Sequence, residues 1–156
     1  MRNTEKAFLW IINILEKNKI NYKISGGFAA RIYGVNRELA DIDIVVMAKD
    51  IPCIAEETRE YIIFGPKRYK DENWDLELLT LNYEGQEIDI AEADVKIFNQ
   101  LTRKWVLCSA QFNNTVQIDV YGKKVVVEDI DSLISYKSKL ARQVDLEDVR
   151  QLKERG

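Results

Sequence analysis

Apolar side chains recur along the first segment at helical spacing. Ala7, Ile11, Ile14 and Leu15 form one stripe over residues 4–18, with Glu5, Lys6, Glu16 and Lys17 around it, and predict an amphipathic helix. The spacing then changes. YKIS, residues 22–25, reads as a short strand, and GGFAARIYG, 26–34, as a helix that begins at two glycines and stops near Gly34. In DIDIVVM, 41–47, Ile42, Ile44 and Val46 fall on one face at the period of a strand. IPCIAEETREYII, 51–63, predicts a helix with Pro52 in its first turn, and the charged, aromatic GPKRYKDENWD, 65–75, a loop. Two hairpins follow. LELLTLNY and QEIDIAEA flank Glu84-Gly85, and TVQIDVY and KKVVVE flank Gly122, with a glycine available for positive φ at each turn. Between the hairpins, 95–112 has no clear period and is expected to be partly helical. Two helices close the chain, about 129–141 and 145–155. Asp145 is the expected cap of the second, and Leu146, Val149 and Leu152 its inward face.

This order predicts an α/β (α+β) domain: a mixed β-sheet flanked by helices, with a C-terminal helix pair. A length of 156 residues suits a single domain spanning the whole chain. The hydrophobic content of 46% is enough to bury a core. With 23 basic and 26 acidic residues the net charge is -3, which argues against broad electrostatic adhesion to nucleic acid or to an acidic membrane. No run is long and apolar enough to cross a bilayer, and the N-terminal MRNTEKAFLW lacks a signal-peptide pattern. Cys53 and Cys108 form no CxxC pair, so neither a zinc site nor a disulfide framework is expected and a reducing cytoplasm is the default compartment. The chain has no histidine. That excludes Ser-His-Asp and Cys-His catalysis and imidazole metal ligands. Any chemistry must use carboxylates, lysines, hydroxyls and a hard metal ion.

Asp41 and Asp43 carry the chief chemical signal. Alternation puts both carboxylates on one face of a strand that is otherwise apolar. At roughly 5 Å apart and an effective dielectric of 20, two such charges repel by about 3 kcal/mol. Solvent, a cation or a proton must offset that cost, and a hard cation such as Mg²⁺ does so while gaining oxygen ligands. Ser25-Gly26-Gly27 sits where a strand turns into a helix. There the free amides of a helix start suit an anion, and glycine lets a phosphate approach the backbone. The Ser25 hydroxyl can donate to a phosphate or act only as a cap. A third acid fits the same chemistry. Asp89 and Asp119 both lie in alternating strands, and Asp89 is preferred because Glu87 shares its face and its hairpin is nearer in sequence to the Asp41–Asp43 strand.

The order SGG, helix, spacer, DIDIV and a later acid-bearing strand resembles the nucleotidyltransferase superfamily related to DNA polymerase β. The resemblance is to its small members: the minimal, AbiEii-like and lincosamide-type enzymes. It implies that Ser25, Gly26 and Gly27 hold a triphosphate, that Asp41, Asp43 and Asp89 bind Mg²⁺ (or Mn²⁺) and carry catalysis, and that Arg37 and Lys137 belong to the nucleotide site, with Lys139 a rival to Lys137. The tail LISYKSKLARQVDLEDV resembles the helix–turn–helix end of these proteins, although ARQVD lacks the glycine and lysine often found before the aspartate. The spacer before the aspartate pair is longer than in compact members. The implied activity is NMP transfer from an NTP such as ATP or GTP to a small-molecule, RNA or protein acceptor. The alternative is a binding module or antitoxin-type regulator that docks a toxin, another partner or a second copy of itself with little or no turnover, using aromatics of KRYKDENWD and Trp105.

Overall fold

The structure, a computed structural model, describes residues 3–109, 112 and 114–155. Asn3 caps the first helix, α1 (Thr4–Lys17), by accepting from the Lys6 amide. The expected stripe of α1 is buried, and Phe8 and Ile12 widen it. Strand β1 (Tyr22–Ser25) passes without a break into α2 (Gly26–Ile32), and β2 (Asp41–Val46) follows. Helix α3 (Ile51–Glu57) ends six residues before its expected limit of 63. The Thr58 hydroxyl bonds the Ile54 carbonyl, a 3-10 turn spans Arg59–Tyr61, and the β-branched Ile62-Ile63 already belongs to the next strand.

That strand, β3 (Ile62–Lys70), takes up most of the segment expected as a loop. It pairs antiparallel with β4 (Trp74–Tyr83) around Asp71, whose carboxylate accepts from the Asn73 and Trp74 amides. Then β5 (Gln86–Glu92) returns from a turn in which Glu84 and Gly85 both have positive φ, as the sequence predicts. The ambiguous stretch is a hairpin, not partly helical: β6 (Asp94–Asn99) and β7 (Lys104–Ser109), with Asn99 accepting from the amides of Leu101 and Thr102 in the turn. Residues 110 and 111 of that stretch lie outside the described residues. The second expected hairpin is β8 (Thr115–Val120) and β9 (Lys123–Glu128).

Asp129 caps α4 (Ile130–Leu140). The last helix, α5 (Gln143–Arg155), starts two residues before the predicted cap. Asp145 is therefore inside its first turn, reaching back to the Arg142 amide as the third position of a capping box does. Its inward stripe is also different from the expected one. Asp145, Asp148, Val149 and Leu152 are buried, while Leu146 is 53% exposed.

All the described strands join one mixed sheet in the order β7-β6-β4-β5-β2-β1-β9-β8, with β3 against β4. The pairs β1–β9 and β2–β5 are parallel, and the others are antiparallel. Ile24, Ile42, Ile44, Val46, Leu79, Leu81, Ile88 and Ile90 form one continuous core with α1. Alternation sends the intervening residues of these strands to the opposite face. There α4 packs against β6, α5 packs on α4, and a cavity remains.

Candidate active site

Four adjacent strands bring one row of side chains across the floor of that cavity. Ser25 stands opposite Asp43, Asp43 opposite Asp89, and Asp89 opposite Thr80. Each strand is pinned in this register by isoleucines, leucines or both on the buried face, since a slip of one residue would turn them to solvent. Asp41, Asp43 and Asp89 each offer one carboxylate oxygen, all within 4.8 Å of one another. Asp119, the rival third acid, is exposed on β8 at the far edge of the sheet, paired in register with Lys124.

The acids repel and are partly removed from water. Burial first, then the charges of Asp41 and Asp89, push the Asp43 carboxyl well above the usual range, against the pull of Lys137 and the Gly27 amide. Burial and then the hydrogen bond shared with Asp41 push Asp89 up to about 7, although the Thr80 hydroxyl, 2.7 Å from Asp89 Oδ1, favours its charged form. A cluster of oxygen donors with uncompensated negative charge suits a hard cation, and metal–oxygen bonds of about 2.0–2.6 Å can bridge oxygens this close.

The diglycine turn is tied directly to this row. The Gly27 amide donates to Asp43 Oδ2 at 3.2 Å. Gly26 has φ +61°, and a Cβ there would overlap the Asp43 carboxylate. A Cβ on Gly27 would sit 2.7 Å from Arg37 Nη1, so the Arg37 guanidinium lies against the turn. Ser25 neither caps α2 nor leaves its proton free: its hydroxyl donates to Glu128 at 2.5 Å. Glu128 also pairs with Lys23 at 3.5 Å, and all three side chains are buried.

Behind the turn, Lys137 is 2% exposed. Its Nζ lies 2.9 Å from Asp148 and 3.6 Å from Asp145. Arg37 meets the same Asp148 oxygen at 2.6 Å, and Arg142 grips Asp145 through Nε at 2.6 Å and Nη2 at 3.0 Å. The Arg142 guanidinium covers the Trp74 ring, and the Trp74 indole N–H donates to the Tyr136 hydroxyl. Lys139 is half-buried and also lines the cavity. The cavity measures about 940 Å³, and on the side away from the turn its walls include Ile63, Phe64, Leu78, Val95 and Leu107.

The structure brings Ser25, Gly26, Gly27, Arg37, Asp41, Asp43, Asp89 and Lys137 to one cavity, together with Lys23, Thr80 and Glu128, which the sequence reading did not single out; nor did it single out Asp148, the partner of Lys137 behind it. Lys23 and Glu128 had a signal of sorts, a charge at the edge of an apolar strand. Asp148 had a better one, lying three residues after Asp145 and so on the same helical face.

The fold is the one seen in solved nucleotidyltransferase structures. A candidate nucleotidyltransferase from Thermotoga maritima superposes with a TM-score of 0.76 at 19% identity, over 100% of this chain and 97% of its own. The lincosamide antibiotic adenylyltransferase LnuA, with lincomycin bound, gives 0.65 at 16% identity, over 100% and 99%. ANT(2″)-Ia, in complex with adenylyl-2″-tobramycin, gives 0.62 at 13%, over 97% and 88%. No family model and no curated protein sequence matches the chain. The described residues contain no helix long and apolar enough to cross a membrane.

Proposed function

We propose that this chain transfers a nucleoside monophosphate from an NTP to an acceptor hydroxyl. The reading rests above all on the convergence of the Asp41, Asp43 and Asp89 oxygens within 4.8 Å of one another, beside the Gly27 amide, in a nucleotidyltransferase fold. The acceptor oxygen attacks the α-phosphorus, the bond from that phosphorus to the bridging oxygen breaks, and pyrophosphate leaves. Mg²⁺ or Mn²⁺ held by the three aspartates supplies charge neutralisation and Lewis acidity toward the phosphate oxygens.

The chain's own residues do the rest. The Gly26-Gly27 turn lets the triphosphate approach the backbone, and Arg37 and Lys137 face it with positive charge. Asp89 takes the hydroxyl proton at a carboxylate oxygen, oriented by the Thr80 hydroxyl. The apolar side chains around Leu78 and Leu107 give the acceptor a surface to lie on. Ser25, whose proton is engaged by Glu128, must exchange that bond before it can donate to a phosphate. Catalysis here is positioning and charge neutralisation, for which no imidazole is needed.

Calorimetric titration with ATP and GTP, with and without Mg²⁺, tests the reading. Metal-dependent binding, followed by transfer of label from α-labelled NTP to an acceptor in cell extract, is the expected result. Binding without any labelled product favours a regulator that holds nucleotide without turnover. Absence of metal-dependent binding rules the proposal out.

A further inference from the structure

We propose that Asp148 and Asp145 are positioning residues that hold Arg37, Lys137 and Arg142 around the phosphate end of the cavity. This rests on the nucleotide reading above. Both carboxylates belong to α5 and are 1% and 0% exposed. One Asp148 oxygen meets two cations from different parts of the chain: Arg37 from the segment before β2, at 2.6 Å, and Lys137 from α4, at 2.9 Å. Asp145 binds Arg142 through two nitrogens and lies 3.6 Å from Lys137. Three cations thus share two carboxylates, leaving one positive charge in excess.

Fold stability does not account for this arrangement. Taking paired charges out of water costs so much that apolar residues of like size often serve as well or better. Helix α5 has Val149 and Leu152 to fill the same stripe. The geometry does account for it. The Arg37 guanidinium is pinned against Gly27, with Nη1 and Nη2 at 2.7 and 3.3 Å from where a Cβ would be. Lys137, 2% exposed, is held by Asp148 at 2.9 Å and by Asp145 at 3.6 Å. Arg142 is fixed between Asp145 and the Trp74 ring. All three cations line the cavity that contains the diglycine turn. Each retains N–H donors beyond those its carboxylate takes. A polyphosphate would meet donors already in place and lose less affinity to ordering them.

The test compares Asp148→Asn, Asp148→Leu and, as a control on the exposed side of α5, Arg150→Ala. The affinity of each folded protein for ATP, GTP and inorganic tripolyphosphate is measured with Mg²⁺ present, beside its urea midpoint. We expect both Asp148 variants to bind tripolyphosphate and NTP at least tenfold more weakly, with a lower urea midpoint because Lys137 loses its nearer buried partner, and Arg150→Ala to bind normally. Arg37→Ala combined with Asp148→Asn should weaken binding by less than the product of the single effects, because Asp148 acts through Arg37. Unchanged affinity in a folded Asp148 variant, or full multiplicativity with Arg37→Ala, overturns the proposal. If both Asp148 variants fail to fold, Asp148 is a stability residue and the proposal is also overturned. If the parent protein binds neither NTP nor tripolyphosphate, the nucleotide reading itself fails and takes this inference with it.

Discussion

Burial, then the hydrogen bond shared with Asp41, pushes the Asp89 carboxyl up to about 7 from an ordinary value of 3.8, against the Thr80 hydroxyl, which favours the charged form. In the metal-free protein the charged form is the unfavourable one. The penalty is absent at low pH, develops above about pH 4 as the unfolded chain ionises, and is complete once the folded carboxyl has ionised above about 7. Stability should therefore fall as pH rises through that window. Asp89→Asn should reduce this dependence, leaving the part due to Asp43, and raise the metal-free melting temperature at pH 8 by about 5 °C, on the order of 2 kcal/mol once solvent screening of a partly exposed group is allowed for. It should also abolish nucleotidyl transfer, whereas Asp119→Asn, on the far edge strand, should leave transfer unchanged in the same assay. The two glycines should separate in another way. Gly26→Ala forces a left-handed residue into the Asp43 carboxylate and should cost about 2–3 kcal/mol in urea unfolding. Gly27→Ala meets only the end of the Arg37 side chain, so stability should change by less than about 1 kcal/mol while NTP affinity falls. The Asp41–Asp43 pair was legible from alternation, and Asp89 was preferred to Asp119 on its acidic face and nearness in sequence; the structure brings Asp89 to the pair. The register that sets it opposite Asp43 was not legible, because register across strands distant in sequence is decided by the packing of the opposite face.

The elements differ in how openly the chain announces them. Helices α1 and α4 and the hairpins β4–β5 and β8–β9 carry strong periods or turn signals and were read in place. The hairpin β6–β7 and the strand β3 were not. Both lie at the margin of the sheet and leave Ile63, Trp105 and Leu107 exposed, so no alternation separates one face from the other. Helix α5 misleads for the opposite reason. Its buried positions include two aspartates, which a search for apolar stripes passes over, and the search settles on Leu146 instead. The corrected stripe has a direct check. Leu146→Ser should change the urea midpoint by no more than about 0.5 kcal/mol, while Leu152→Ala, at a fully buried site, should cost about 2–4 kcal/mol.

For the molecule as a whole, the proposed function couples cation binding to folding through the acid row. A ligand that binds only the folded chain stabilises it by about 2.7 kcal/mol at a hundredfold excess over its dissociation constant. Because Asp43 and Asp89 must be ionised to bind it, Mg²⁺ should raise the melting temperature more at pH 8 than at pH 6, a difference that scanning calorimetry at the two pH values reads directly.

The pairing of β1 with β9, strands whose partners Ile24 and Val127 are far apart in sequence, bears on biosynthesis. A ribosome delivers the aspartates early and the clamp of Lys137, Asp145 and Asp148 last. A nascent chain that has emerged only as far as β5 carries the three acids but lacks β9, the parallel partner of β1, and the helices that bear Lys137, Asp145 and Asp148. On the proposed function, products truncated before α4 would lack the cations of the phosphate site and be inactive.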